Sequence, residues 1–200
     1  MKKSINKKRL VNILICLGIS FVLVGIDQLT KFLAVKYLNL YEEIPFIKGI
    51  INFKLVYNTG FAFGLGDGYQ WIWSIVSIIG CFVIGYFMKK ADFKHNLLFT
   101  ISLILLFAGT FGNMIDRIFS EKGVIDFLNP AFVDFAVFNV ADSYITIGAI
   151  LLAVYIVFFY KEEEKTEKAS DDTIIDSSSL PVDNNEQSNV EKEDDTCDNK

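Results

Sequence analysis

Four stretches of the chain, 10–26, 71–88, 97–115 and 144–160, run almost without a formal charge. A hydrocarbon core of about 30 Å takes about 20 helical residues to cross at about 1.5 Å each, so the pattern predicts four transmembrane helices. Between the first two, Ile51, Phe53, Leu55 and Tyr57 alternate with Asn52, Lys54, Val56 and Asn58, the period-two signature of a half-buried strand. NTGFAFGLGDG follows, and its Gly60, Gly64, Gly66 and Gly68 predict a tight loop whose backbone approaches a neighbour closely.

Composition supports a membrane protein: 52% of the 200 residues are hydrophobic, three are proline, and the mean hydropathy is +0.38. The net charge of -5 conceals a division. Residues 161–200 hold five Lys against fourteen Asp or Glu, while 1–160 hold fourteen Lys or Arg against ten acids. This predicts a basic N-terminus at 1–9, a four-span domain at 10–160 and an acidic, disordered tail at 161–200, too poor in apolar residues to offset the entropy of ordering.

The first apolar run is not read as a cleaved leader, since it exceeds the usual core of about 7–15 residues and no small-x-small site closes it. Cytoplasmic loops collect Lys and Arg. The clusters Lys2, Lys3, Lys7, Lys8, Arg9 and Lys89, Lys90, Lys94 therefore predict cytoplasmic termini, with 27–70 and 116–143 on the outer side.

The two outer segments gather the unusual polar residues. Asp27 (DQLTK), Asp116 (GNMIDR), Asp126 (GVIDF) and Asp142 (FNVADS) are expected at helix ends or in short loops. Ionisable groups at membrane depth are costly and mark function. Asn113, Asp116 and Arg117 stand at i, i+3 and i+4, as do Asn139, Asp142 and Ser143, so each set is expected on one helix face.

Asp27 with Lys31, and Asp116 with Arg117, read as structural ion pairs; Asp126 and Asp142 lack an adjacent base and are free to share a proton. Two carboxyls about 3 Å apart cannot both ionise readily, so one holds a proton while the other takes one from water, as in aspartic proteases. His95 is the one histidine and falls in a cytoplasmic loop, which argues against Ser–His chemistry, and no Cys or His cluster suggests zinc. Cys16, Cys81 and Cys197 form no disulfide framework, and no disulfide is expected.

In this order, DQLTK, NTGFAFGLG, GNMIDR, VIDF and FNVADS resemble the five motifs of bacterial lipoprotein signal peptidase, or signal peptidase II, over roughly 10–160. The resemblance implies an integral-membrane aspartyl endopeptidase that cleaves prolipoproteins before the diacylglyceryl-modified cysteine, at the outer leaflet of the cytoplasmic membrane. Its implied partners are lipidated prolipoproteins and membrane lipids, with no cofactor, nucleic acid or obligatory protein partner.

By motif position the implied dyad is Asp126 and Asp142, with supporting roles for Asp27, Lys31, Asn58, Gly60, Asn113, Asp116, Arg117 and Asn139. A four-helix membrane fold with a small extracytoplasmic β-cradle, drawn from the first outer segment, is likewise implied. The chain departs from the pattern at Ala108, where a second glycine is common, and in the short segment after Asp126, which carries Asp134, a rival acid without motif context. GLGD, 64–67, matches a presenilin-type signature but is read as a turn before Gly68.

Overall fold

The computed structural model describes residues 2–60 and 69–159. The expected tight loop at 61–68, the acidic tail at 161–200 and Cys197 lie outside the described residues. Four helices follow the four apolar runs: α1 (Lys2–Tyr37), α2 (Gln70–Phe87), α3 (Leu97–Phe119) and α4 (Val140–Phe158). A 3-10 turn, Met88–Lys90, continues α2, and each helix is long and apolar enough to cross a membrane.

The first helix begins earlier than expected, at Lys2 rather than 10, and three further boundaries differ, each where a polar group finds a partner. The first helix does not end at 26 but runs to Tyr37, because Asp27 and Lys31 pair across one turn at 2.9 Å and no longer oppose its continuation. α3 continues past 115 to Phe119, carrying Asp116 and Arg117 inside the helix. α4 begins at Val140 rather than 144, since Asn139 caps it: the Asn139 side chain accepts from the Asp142 backbone, and the Asp142 side chain accepts from the Asn139 backbone. The Asn139, Asp142, Ser143 spacing is therefore a capping box rather than one helical face.

Half of the α3 span is buried, against 22%, 11% and 17% of the α1, α2 and α4 spans, so α3 is the axis on which the others pack. Cys16, Met88, Ala91, Leu103, Ile104 and Phe107 form the core at the end away from the sheet, and Asn12 Nδ2 donates to the Ala91 carbonyl at 3.1 Å there. Nearer the sheet α3 carries glycine where neighbours come closest. A Cβ on Gly112 would lie 2.7 Å from Asp27 Oδ2, and one on Gly109 would strike the Ala141 carbonyl oxygen. Ala108, one residue before, is fully buried.

Strands β1 (Glu43–Ile47), β2 (Ile51–Asn58) and β3 (Val124–Pro130) form one antiparallel sheet in the order β1-β2-β3. The alternating segment is β2, with Leu55 buried at its centre. β3 corrects the expected layout, because the sheet takes a strand from the second interhelical segment as well as the first, and Asp126 sits on that strand rather than in a loop or at a helix end. Val56 pairs with Asp126 and Asn58 with Val124, with a bulge between Phe53 and Val56. Gly123, at φ +97, lets the chain enter β3 against the Asn58 carbonyl, where a side chain would collide.

Candidate active site

At the sheet end of the bundle the motif residues divide into two connected groups. The first is an ion cluster about Lys31, which is 1% exposed. Its Nζ lies 2.9 Å from Asp27 Oδ2 and 2.8 Å from Asp116 Oδ2, and donates to Asn113 Oδ1 at 2.9 Å. Asp27 Oδ1 accepts from the Ala141 backbone at 2.9 Å, and Asp116 Oδ2 from the Ile125 backbone at 3.3 Å. A single lysine thus ties α1, α3, α4 and β3 together.

The expected Asp116–Arg117 pair is not formed. Successive helical residues point about 100° apart, so Arg117 cannot face the oxygen that Lys31 holds. Among the described residues Arg117 makes no ion pair of its own; it is half-buried and lines the cavity described below.

The second group holds Asp126 and Asp142 entirely by amides. Asp126 Oδ1 accepts from Asn139 Nδ2 at 2.7 Å and Oδ2 from Asn58 Nδ2 at 3.1 Å. Asp142 Oδ1 accepts from Asn113 Nδ2 at 2.7 Å, and its Oδ2 from the Asn139 backbone N–H at 3.1 Å. Each asparagine is oriented by a second bond. Asn113 Oδ1 accepts from both Lys31 and Asn139, the latter at 3.0 Å, while Asn139 Oδ1 accepts from the Asp142 backbone and Asn58 Oδ1 from the Gly60 backbone at 3.0 Å. With their oxygens so occupied, all three amides present nitrogen to a carboxylate.

Asp126 is 2% exposed. Its pKa is pushed from an ordinary 3.8 up to about 7, first by burial and next by the charge of Asp142, against the opposing pull of Asn58, Asn139 and Lys31. A cavity of about 760 Å³ opens beside the pair, and Asn58, Asn113, Arg117, Asp126, Asp142 and Ser143 form its polar end. Asp134 is exposed and does not line it. His95 lies in the α2–α3 connection at the opposite end, with Nδ1 3.1 Å from Asp92 Oδ2. Among the described residues no three His, Cys, Asp or Glu side chains gather as a metal-holding cluster.

Sequence reasoning missed two glutamines. Gln28 Nε2 donates to Asp116 Oδ1 at 3.0 Å and to the Gly112 carbonyl at 3.1 Å, fixing the acid's other oxygen. Gln70 Nε2 donates to the carbonyls of Arg117 at 2.9 Å and Ser120 at 2.8 Å, closing the C-terminus of α3. The available signal was a neutral polar residue beside Asp27 in one case and at the mouth of an apolar run in the other.

Four spanning helices with a buried ion cluster, and an amide-held pair of carboxylates on a cavity at one end, are an arrangement that suits a membrane-embedded hydrolase of the carboxylate type. The family model described as signal peptidase (SPase) II matches residues 19–158. The chain is 42% identical over 135 residues to proteins named lipoprotein signal peptidase from Streptococcus pyogenes serotype M5 (strain Manfredo) and serotype M18 (strain MGAS8232), covering 66% of this chain and 86% of each relative.

Two solved structures, both described as a bacterial membrane enzyme determined by the in meso method, match its fold. One, at 2.3 Å, has a TM-score of 0.66 at 33% identity, covering 71% of this chain and 87% of that one. The other, at 1.9 Å, has a TM-score of 0.64 at 32% identity, covering 72% and 93%. The chain belongs to the signal peptidase II family, membrane peptidases that remove signal peptides from prolipoproteins.

Proposed function

We propose that Asp126 and Asp142 are the catalytic pair, and that the bond they cut precedes the diacylglyceryl-modified cysteine of a prolipoprotein. The contrast among the four acids carries this reading. Asp27 and Asp116 are each paired with Lys31, whereas among the described residues Asp126 and Asp142 accept hydrogen bonds from amides alone, share Asn139 and line the cavity.

In the reaction, the ionised member of the pair takes a proton from a water whose oxygen attacks the carbonyl carbon preceding the cysteine. The other member gives its proton to the leaving amine nitrogen as the C–N bond breaks, so one water yields an acid and an amine. Arg117 and Ser143, at the polar end of the cavity, orient the peptide backbone. Asn58, Asn113 and Asn139 fix the carboxylates, and the Lys31 cluster fixes Asn113.

The basic residues Lys7, Lys8 and Arg9, with Lys89, Lys90 and Lys94, fall at the ends of helices away from the sheet, which supports a cytoplasmic location for that end and the outer leaflet for the cavity. Exposed Tyr41 beside the sheet suits an interfacial depth. The lipid then anchors the substrate, with about 0.8 kcal/mol from each buried CH₂ group, and delivers the peptide bond at that depth.

The test is cleavage, by purified protein in bilayers, of one precursor in diacylglyceryl-modified and unmodified forms. Cleavage of the modified form alone, before the cysteine and unaffected by a chelator, is the expected result. Equal cleavage of both forms would contradict it.

A further inference from the structure

The cavity has a second arm that neither the motifs nor the proposed chemistry uses. From the carboxylate pair it runs between α2 and α4 over α3, walled by Trp73, Val76 and Ser77 on one side and Ile145 on the other, and it ends at Gly80 and Thr110. Seven residues separate Trp73 from Gly80 and Arg117 from Thr110, so at about 1.5 Å per residue the arm descends about 10 Å from the reacting groups. Gly80 and Thr110 meet at its far end, where a Cβ built on Gly80 would stand 3.5 Å from Thr110 Cγ2. Among the described residues α2 and α4 each pack on α3 but scarcely on each other, and the arm runs between them.

We propose that this arm receives one acyl chain of the substrate's diacylglyceryl group, with Gly80 and Thr110 setting the chain length accepted. The inference rests on the reaction proposed above and names the part of its substrate that occupies the arm. Polarity decides between the two parts of that substrate. A peptide drawn into the arm would bring backbone N–H and C=O groups among Val76, Gly80 and Ile145, where the Ser77 hydroxyl already donates to the Trp73 carbonyl. A methylene chain brings no polar group. Continuity matters as well: the arm and the carboxylates belong to one cavity, so a chain seated there is tethered within reach of the bond to be cut.

Gly80→Leu is the direct test, because the glycine has space for a side chain and the leucine would fill the end of the arm. Precursors with diacylglyceryl chains of sixteen and of four carbons are compared, each with a small and a bulky residue in the signal segment. The ratio of kcat/KM for long over short chains is expected to fall by about tenfold or more, the scale set by misfitting methylenes in an apolar pocket. Val76→Ala, which widens the arm, is expected to raise the rate for a methyl-branched chain relative to a straight one, and keeps the test independent of how Gly80→Leu folds. An unchanged ratio in both variants, or a loss that follows the signal-segment residue instead of chain length, overturns the proposal. Wild-type enzyme run alongside separates the two claims. Its failure to cut either lipidated precursor would overturn the reaction and the arm together, whereas a faulty arm assignment appears only as a constant ratio in the variants.

Discussion

Asn139 donates its side-chain amide to Asp126 at 2.7 Å. The same residue caps α4 and gives its backbone N–H to Asp142, so one residue holds both a strand acid and a helix acid. Capping and carboxylate positioning can be separated by substitution. Serine caps a helix as well as asparagine but is too short to reach Asp126. Asn139→Ser is expected to keep the cap but to cost about 1–3 kcal/mol for the buried acceptors its amide leaves, read by thermal unfolding in detergent. Its kcat is expected to fall by about 100-fold, as for a misplaced reacting group. Full kcat in this variant would exclude a positioning role for the amide.

Lys31 and Arg117 are the two cations of the site, and they should fail in different ways. Removing Lys31 leaves Asp27 and Asp116 buried without a counter-charge. Lys31→Met is expected to cost about 3–5 kcal/mol in a reversible denaturation measurement. Arg117 makes no ion pair among the described residues and lines the cavity. Arg117→Lys is expected to unfold within about 1 kcal/mol of wild type yet cleave more slowly, since a lysine lacks the planar fork of donors. The reverse pattern would move the structural role to Arg117.

The Asp126 pKa, raised to about 7, makes a prediction in pH. Below that value Asp126 holds a proton for the leaving amine; above it that proton is lost, and kcat/KM is expected to decline as pH rises through about 7. Stability follows the same sign. Because the folded form holds this proton more tightly than the unfolded one, the contribution is complete below the ordinary 3.8 and is lost as pH rises through about 7. Unfolding temperatures measured without substrate should therefore fall across that window, less so in Asp126→Asn. An activity that climbs steadily past pH 8 would contradict shared-proton chemistry.

The sequence displayed much of this arrangement, though unevenly. Apolar run length located all four helices and alternation located β2, because both signals are local. β3 was hidden: VIDFLNP is short, and its pairing with β2 joins segments far apart in the chain. The helix boundaries near Asp27, Asp116 and Asp142 were displaced because charge reads as a helix end until its partner is known, and Lys31 and Asn139 are partners that only the fold supplies. Choosing Arg117 for Asp116 was an error of the same origin, with adjacency in sequence standing in for direction on a helix. The arm between α2 and α4 had no sequence signal, as Ser77, Gly80 and Thr110 look like ordinary span residues.

The central claim is that two of four buried or half-buried acids perform the chemistry. Asp126→Asn and Asp142→Asn, each purified in membrane-like medium beside wild type, can be assayed with a diacylglyceryl-modified precursor while folding is followed by thermal unfolding. Both variants are expected to remain folded and to show no cleavage above background; either one folded and cutting at the wild-type rate would contradict the pairing of Asp126 with Asp142.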